Sequence, residues 1–445
     1  MLRRKVVTKT SCTQCERIWS CLLLGHYIAG VHDADKFAKF GGPGASCRLT
    51  SFSKLCWGLL DHISCGRNYF TRRPGTRIDF FSMHKKGNDR DSVGSSTYLL
   101  KSEGLTLTKM KTEYSKVFNG LAIYNDEGDP MKSWWKPLEF RADVRYPAMV
   151  AKIIQLHLYD DDPLFAHYQM TSNDNAFLNY APHYFTQRTM LTTFSVNTTN
   201  PSFSVNVRKP IYELWTMLPQ IRGELLSTSL PSRRDFGVIA SQTSNQLCLT
   251  FWLSNDTELY TGPGHNIRIR LPMRWVSGQY ITRVLDNTTT NTYEKWKTLG
   301  FPANLTQQQL AALWNVTMVR VSQAKPVAAS GSIRLTMTSP GVKQIIVCNG
   351  NETLSQPSSV QFHRINNSTL LIWWRDGPVS ACFLSYDVQY KPPGSHDYAA
   401  LNQEALLTRV YQRTSLAALR GSYRVRSRNI LRQTSAFSDA AVYAG

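Results

Sequence analysis

"GLAIYNDEGDP", residues 120–130, decides how the first half of this chain is read. A short apolar run, Leu121 to Tyr124, stops abruptly at three acids, Asp126, Glu127 and Asp129. A Gly-Asp-Pro turn and two tryptophans, Trp134 and Trp135, follow at once. Acids on an exposed loop need no explanation. Beside tryptophans, which bury their rings where they can, they point to carboxylates aimed into a pocket.

The same device recurs on either side. "KFAKFGG" (36–42), "TRIDFFSMH" (76–84) and "HYQMTSN" (167–173) are short β-type runs that each end in a polar or Gly-rich loop. Helical stretches lie between and after them. In "YPAMVAKIIQLHLY" (146–159), Pro147 suits a first helical turn, and Met149, Ile153 and Leu156 recur at helical spacing with Val150 and Ile154 alongside. In "KPIYELWTML" (209–218), Pro210 opens a stripe of Ile211, Leu214, Trp215 and Leu218, which Pro219 ends. Strand, loop and helix in repetition predict parallel β/α architecture from about 36 to 220.

In such folds the functional groups sit where strands end at their C-terminal edge, because the loops there converge. That rule collects His84, Lys85 and Lys86 from one strand, Asp126 and Glu127 from the next, and Asn173, Asp174 and Asn175 from a third. Such a rim suits a hydroxylated, anionic ligand: acids accept from sugar hydroxyls, lysine pairs with carboxylate or sulfate, and tryptophan covers a ring face. Asp126 and Asp129 read as turn-forming and capping acids, whereas Glu127 is the catalytic candidate. Taken alone, Lys86 would be a solvated lysine, and Arg188 a structural ion pair as readily as a ligand. His84 and His183 serve equally as structural hydrogen-bonders or as catalytic groups.

Beyond about 222 the helical spacing is expected to vanish. "NIRIRLPM" (266–273) sets Ile267, Ile269 and Leu271 inward against Arg268 and Arg270 outward; "QYITRVL" (279–285) and "GSIRLTM" (331–337) alternate similarly. Residues 222–353 therefore read as a β-sandwich. From 354 a further module carries "LLIWW", "YDVQY", "GSYRVRSRN" and "SAFSD", and its placement of tryptophan and tyrosines resembles a fibronectin type III-like domain.

The chain has 445 residues, 42% hydrophobic and 18% charged, which is the composition of a folded protein with room for two to four domains. Its net charge of +20 favours an anionic partner: nucleic acid, anionic lipid or acidic polysaccharide. Eight Asn-X-Ser/Thr sequons, at Asn197, Asn255, Asn287, Asn304, Asn315, Asn351, Asn366 and Asn367, all fall in the C-terminal 249 residues. That density predicts a glycosylated chain in the secretory pathway and counts against nucleic acid, despite basic runs such as "RRPGTR" and "RVRSR". Of nine cysteines, Cys12, Cys15, Cys21, Cys47, Cys56 and Cys65 crowd the first 65 residues. Cys12-X-X-Cys15 has no matching second pair, so no metal is expected, and no cofactor either. Cys348 and Cys382, both in the strand-rich part, are the preferred disulfide, with Cys248 elsewhere. No run of 18 apolar residues exists, so no membrane span is expected. The N-terminus mixes a basic lead with a moderately apolar stretch, as a signal peptide does, but Cys21, Gly25 and His26 dilute it.

Several longer motifs carry a resemblance: "GGPGASC", "SKLCWGLLDH", "RIDFFSMHKKG", "AIYNDEGDP", "RADVRYPAMVAKII", "SNDNAFL", "QRT" and "VRKP". From about residue 41 to its end the chain is similar to the α-L-iduronidase family of lysosomal glycoside hydrolases. The resemblance implies a multidomain protein: part of a (β/α)8, or TIM, barrel (strands 5–8) over 41–221, a β-sandwich over 222–353 and a fibronectin type III-like domain over 354–445. Residues 1–40 are a divergent segment. It implies a retaining mechanism with two carboxyl groups about 5–5.5 Å apart. Glu127 matches the nucleophile and Lys86 the lysine that binds the iduronate carboxylate. Asp174 and Arg188 match polar residues lining the sugar pocket, and Trp134 a tryptophan whose backbone helps hold that carboxylate. Ser133 stands where the family pattern leads one to expect glycine.

The family's acid/base glutamate sits in an Asn-Glu-Pro motif, and no Asn-Glu-Pro occurs in these 445 residues. Glu16, Asp33 and Asp35 are poor substitutes by context. The expectation is a glycosidase by descent, removing terminal α-L-iduronic acid from dermatan and heparan sulfate, with hydrolysis impaired. A non-catalytic glycosaminoglycan-binding protein and an adhesion module are the rival classes.

Overall fold

The computed structural model describes residues 30–445 except 32, 50–53, 69–70, 88–94, 134–135, 172, 174–180, 197–202, 229–234, 258–260, 350–352, 378–381, 403–404 and 415–418. Four short strands, β1 (Gly41–Ser46), β2 (Phe80–His84), β3 (Ala122–Asn125) and β4 (Tyr168–Met170), pair in parallel and in sequence order. β2, β3 and β4 fall on the predicted runs; β1 does not, since it is Gly-Gly-Pro-Gly-Ala-Ser and shares only its first two glycines with "KFAKFGG".

Helices cover this sheet because their apolar residues recur every three or four positions. α1 (Lys54–Cys65) turns Cys56, Leu59, Leu60 and Ile63 inward, and α2 (Ser95–Glu113) does the same with Leu99, Leu107 and Met110. Their buried faces meet Phe81 and Met83 of β2 and Ile123 of β3 in one core, into which a Cys47–Cys56 disulfide ties β1 and α1. α3 (Arg145–Leu158) is buried from Tyr146 to Ile153, more than one face of a surface helix requires. It reaches β4 and also packs on a seven-stranded antiparallel sheet beyond it, as does α4 (Pro210–Met217).

Strand Gln246–Leu253 of that sheet is buried at every position, and its pleat explains why. Leu247, Leu249, Phe251 and Leu253 face a two-stranded sheet of His265–Arg270 and Ser332–Met337, while Trp252 faces α3 and α4. The alternation read in "NIRIRLPM" holds: Ile267 and Ile269 join that core, and Arg268 and Arg270 are exposed. In "QYITRVL" one position departs. Arg283 shares the inward face with Ile281 and Leu285 because it donates to Thr216 O at 3.0 Å and to Gln344 Oε1 at 3.2 Å. Burial depresses its pKa to about 10, against the pull of Glu213.

Two further expectations are corrected. Strand–helix repetition does not run to 220: Leu191–Val196 and Phe203–Arg208 form an antiparallel hairpin, extended in parallel by Asn304–Leu305. Nor do helices vanish after 222. α5 (Thr292–Thr298) starts at Asn291, whose side chain accepts from Glu294 N, and α6 (Gln307–Trp314) starts at a Thr306/Gln309 capping box. Their Tyr293, Trp296, Leu310 and Leu313 close a core over the hairpin.

From Ser358 onward the chain forms a three-stranded and a four-stranded antiparallel sheet around Leu370, Ile372, Trp374, Tyr386, Val388, Tyr423 and Val425. The disulfide Cys348–Cys382 is present and links the end of Gly341–Cys348, an interior strand of the seven-stranded sheet, to this module; Cys248 is free and buried. No helix among the described residues is long and apolar enough to cross a membrane.

Cys348 and Cys382 are 34 residues apart, so their bond removes closure entropy from the unfolded chain. Replacing both with alanine is expected to destabilise the C-terminal module by roughly 3–4 kcal/mol, read from the denaturant midpoint of its unfolding.

Candidate active site

The C-terminal ends of β2 and β3 are stitched by one fully buried amide. Asn125, the last residue of β3, accepts through Oδ1 from the backbone N–H of Lys85 (3.0 Å) and of Glu127 (3.1 Å). Its Nδ2 donates to Lys85 O (3.0 Å) and to Glu103 Oε1 (2.6 Å). Two loops from neighbouring strands are thereby held at one height, and Gly87 N donating to Asp129 O at 2.8 Å adds a second tie.

Glu103, on α2, is itself fully buried, so its carboxyl oxygens need partners. His157 of α3 donates Nε2–H to its Oε2 at 2.7 Å and Nδ1–H to Ile153 O at 2.8 Å. The Ile153 carbonyl can only accept, which sets a proton on Nδ1, and a second proton on Nε2 gives the ring a positive charge. Burial opposes that charge, but the hydrogen bond and charge of Glu103 win, and the pKa of His157 is raised. Tyr168 of β4 donates to Glu103 as well, at 2.5 Å.

At the rim, Lys86 Nζ pairs directly with Glu127 Oε2. His84 Nδ1 lies 2.7 Å from Asp126 Oδ1 and 3.6 Å from Glu127 Oε1. Asp126 is therefore more than a turn former. Glu127, partly exposed at 29%, sits where a ligand can reach it while its neighbours stay fixed. Gly128 makes room for this arrangement: a Cβ there would lie 2.4 Å from Met170 Sδ of β4.

Below the rim, Asp129 is wholly buried and makes the predicted turn, accepting from Met131 N at 2.8 Å. It also accepts from the Tyr146 hydroxyl, and Arg188 NH1 lies 3.4 Å from its Oδ1. Arg188 is 1% exposed and donates to Met131 O at 3.1 Å, so its charge is committed to the loop behind Glu127. Ser133 adopts φ +62°, the left-handed region where glycine is favoured. Trp134 and Asp174 lie outside the described residues, as do the sequons Asn197 and Asn351. Asn125, Glu103 and His157 were not foreseen as site residues; the signal available was a carboxamide closing an apolar strand immediately before the acids.

Two neighbouring carboxylates on the C-terminal rim of parallel strands, Glu127 paired with a lysine and Asp126 with a histidine, suit chemistry on a hydroxylated ring. Similarity to known proteins sharpens this. The chain matches glycosyl hydrolases family 39 over residues 23–334 and the α-L-iduronidase C-terminal domain over 358–445. It is 31% identical to mouse α-L-iduronidase over 94% of this chain and 69% of that one, and 31% identical to the human enzyme over 94% and 67%. The fold superposes on that of a bacterial orthologue of human α-L-iduronidase with a TM-score of 0.76, at 19% identity, over 95% of this chain and 73% of the other. Fold, rim and relatives define a glycoside hydrolase. The chain belongs to glycosyl hydrolases family 39, and the relatives it resembles there are α-L-iduronidases.

Two outcomes follow from this geometry. Burial lowers the His84 pKa, but the Asp126 hydrogen bond and the charges of Asp126 and Glu127 outweigh it, so the net shift is upward. The resulting stabilisation is complete below the ordinary histidine value of about 6.5 and fades as pH rises through the raised one. Asp126→Asn should bring the titration of His84, followed by NMR, back down. Ser133→Gly should raise stability by about 0.5–1 kcal/mol in thermal unfolding, because it relieves the left-handed backbone at some cost in chain entropy.

Proposed function

We propose that the protein is a retaining exo-glycosidase acting on terminal α-L-iduronic acid of dermatan and heparan sulfate. The observation that carries this reading is Glu127, in the "YNDE" motif at the end of β3, ion-paired with Lys86. Glu127 is the nucleophile that attacks the anomeric carbon. Lys86 has three N–H donors, so it can hold Glu127 and a uronate carboxylate together. The backbone of Ser133 and Trp134 and the side chain of Asp174 complete the sugar pocket. Arg188, given its burial, acts through Asp129 and the 129–133 loop rather than by touching the sugar. His84 steadies the two carboxylates. The four parallel strands represent strands 5–8 of a (β/α)8 barrel within 41–221, followed by the sandwich of 222–353 and a fibronectin type III-like domain over 354–445. Exposed Asn255, Asn304, Asn315, Asn366 and Asn367, with the half-buried Asn287, are sequons suited to glycans on a chain routed through the secretory pathway to the lysosome.

A second carboxyl group must protonate the leaving oxygen, and these 445 residues hold no Asn-Glu-Pro to supply it. Losing a general acid typically slows glycoside cleavage ~10²–10⁴-fold, most where the leaving group needs a proton. An aryl iduronide should therefore be cleaved by this chain far faster than an unactivated iduronide, and Glu127→Gln should abolish both reactions. Equal rates on the two substrates would refute the missing acid. Salt-sensitive heparin binding with no turnover on either would favour a non-catalytic glycosaminoglycan-binding protein, which the glycosidase relatives weigh against.

A further inference from the structure

The two-stranded sheet of His265–Arg270 and Ser332–Met337 spends its inner side chains, Ile267, Ile269, Ile333 and Leu335, on the sandwich core. Its outer face is unusual. The register sets Asn266 opposite Thr336, Arg268 opposite Arg334 and Arg270 opposite Ser332. All three arginines are exposed. Thr336 Oγ1 donates to Asn266 Oδ1 at 2.8 Å and Arg268 Nε donates to Ser332 Oγ at 3.1 Å, so polar neighbours steady the ladder. Among the described residues none of the three arginines forms an ion pair with an acid.

Directly opposed like charges destabilise an antiparallel pair by some tenths to about 1 kcal/mol. Charges on a short two-stranded sheet can be mere protection against edge pairing, but mixed signs would serve that purpose without repulsion. Here three arginines share the face with no acid. Opposed side chains stand about 5 Å apart and alternate residues along a strand about 6.5–7 Å apart, so the guanidinium groups can converge on one oxyanion or span two. Their planar forks match carboxylate and sulfate better than an ammonium does. Asn266, Ile267, Arg268, Arg334, Leu335 and Thr336 line an open depression of about 400 Å³ at the same place.

We propose that this face is an anion-binding site for the sulfated stretch of an acidic polysaccharide, distinct from the rim at β2 and β3. The choice of a polysaccharide rests on the function proposed above; the existence of an anion site does not. The ligand's carboxylate and sulfate groups replace the missing acids, and binding relieves the repulsion between Arg268 and Arg334.

The test uses the full chain with heparin as probe, and reads the dependence of binding on salt. The double variant Arg268→Gln, Arg334→Gln should elute from heparin at lower salt, with the slope of log K against log salt shallower by roughly one to two units. Its thermal midpoint should not fall. Lys36→Gln with Lys39→Gln, which removes two exposed charges elsewhere, should leave the slope nearly unchanged. Aryl iduronide turnover should be the same in all three proteins. Should the double variant fail to fold, Arg334→Gln alone reads the same change at about half size. An unaltered slope, an equal change in the lysine control, or equally strong arginine-dependent binding to single-stranded DNA overturns the proposal. Failure to cleave any iduronide with the slope change intact would sink the catalytic reading instead.

Discussion

The site depends on a buried amide with nowhere else to send its hydrogen bonds. Asn125 has no access to water, and each of its polar atoms is costly to leave unpaired. Its four bonds go to Lys85 N, Lys85 O, Glu127 N and Glu103 Oε1. The consequence is geometric: the residue after Lys85 and the residue after Asp126 project from the same edge at the same height. Lys86 and Glu127 meet because the backbone beneath them is bolted together. Glu103 in turn is a buried carboxyl group whose oxygens are engaged by Asn125, His157 and Tyr168. The polar network is closed, which makes it rigid rather than merely stable.

α3 extends that rigidity. It contributes His157 to the network under the rim, Tyr146 to Asp129 and Lys152 to Asp256, whose carboxylate lies 3.1 Å away. Its other face is packed on the seven-stranded sheet through Met149, Val150 and Trp252. One helix thus serves two sheets, and a shift in the sandwich would be felt at the carboxylates. Arg283 strengthens that coupling by donating from the sheet to Thr216 at the end of α4.

Much of this was legible because local patterns agreed with the global fold. The strand ends named Glu127, Lys86 and His84 without any structure, since parallel strands place successive loops on one rim. α3 and α4 announced themselves through proline at the first turn and apolar spacing. The hairpin of 191–208 escaped because its strands follow a β/α pattern and their partners, 292–305, lie about a hundred residues on. α5 and α6 are short, and only their caps betray them. The inward turn of Arg283 was hidden by the alternation of its strand, and Arg188 read as a structural ion pair as readily as a ligand, because burial of a charge is decided by partners distant in sequence.

Loop 129–133 shows how distant residues share one task. Asp129 turns the chain, Arg188 holds Asp129 and Met131 O, and Arg141 donates to Lys132 O, Ser133 O and Lys136 O. Asn173, at the end of β4, donates to Tyr146 and accepts from Trp215 of α4, so the same network reaches the third rim loop. Two buried arginines gripping backbone carbonyls explain how Ser133 is kept in a conformation that glycine would adopt more readily.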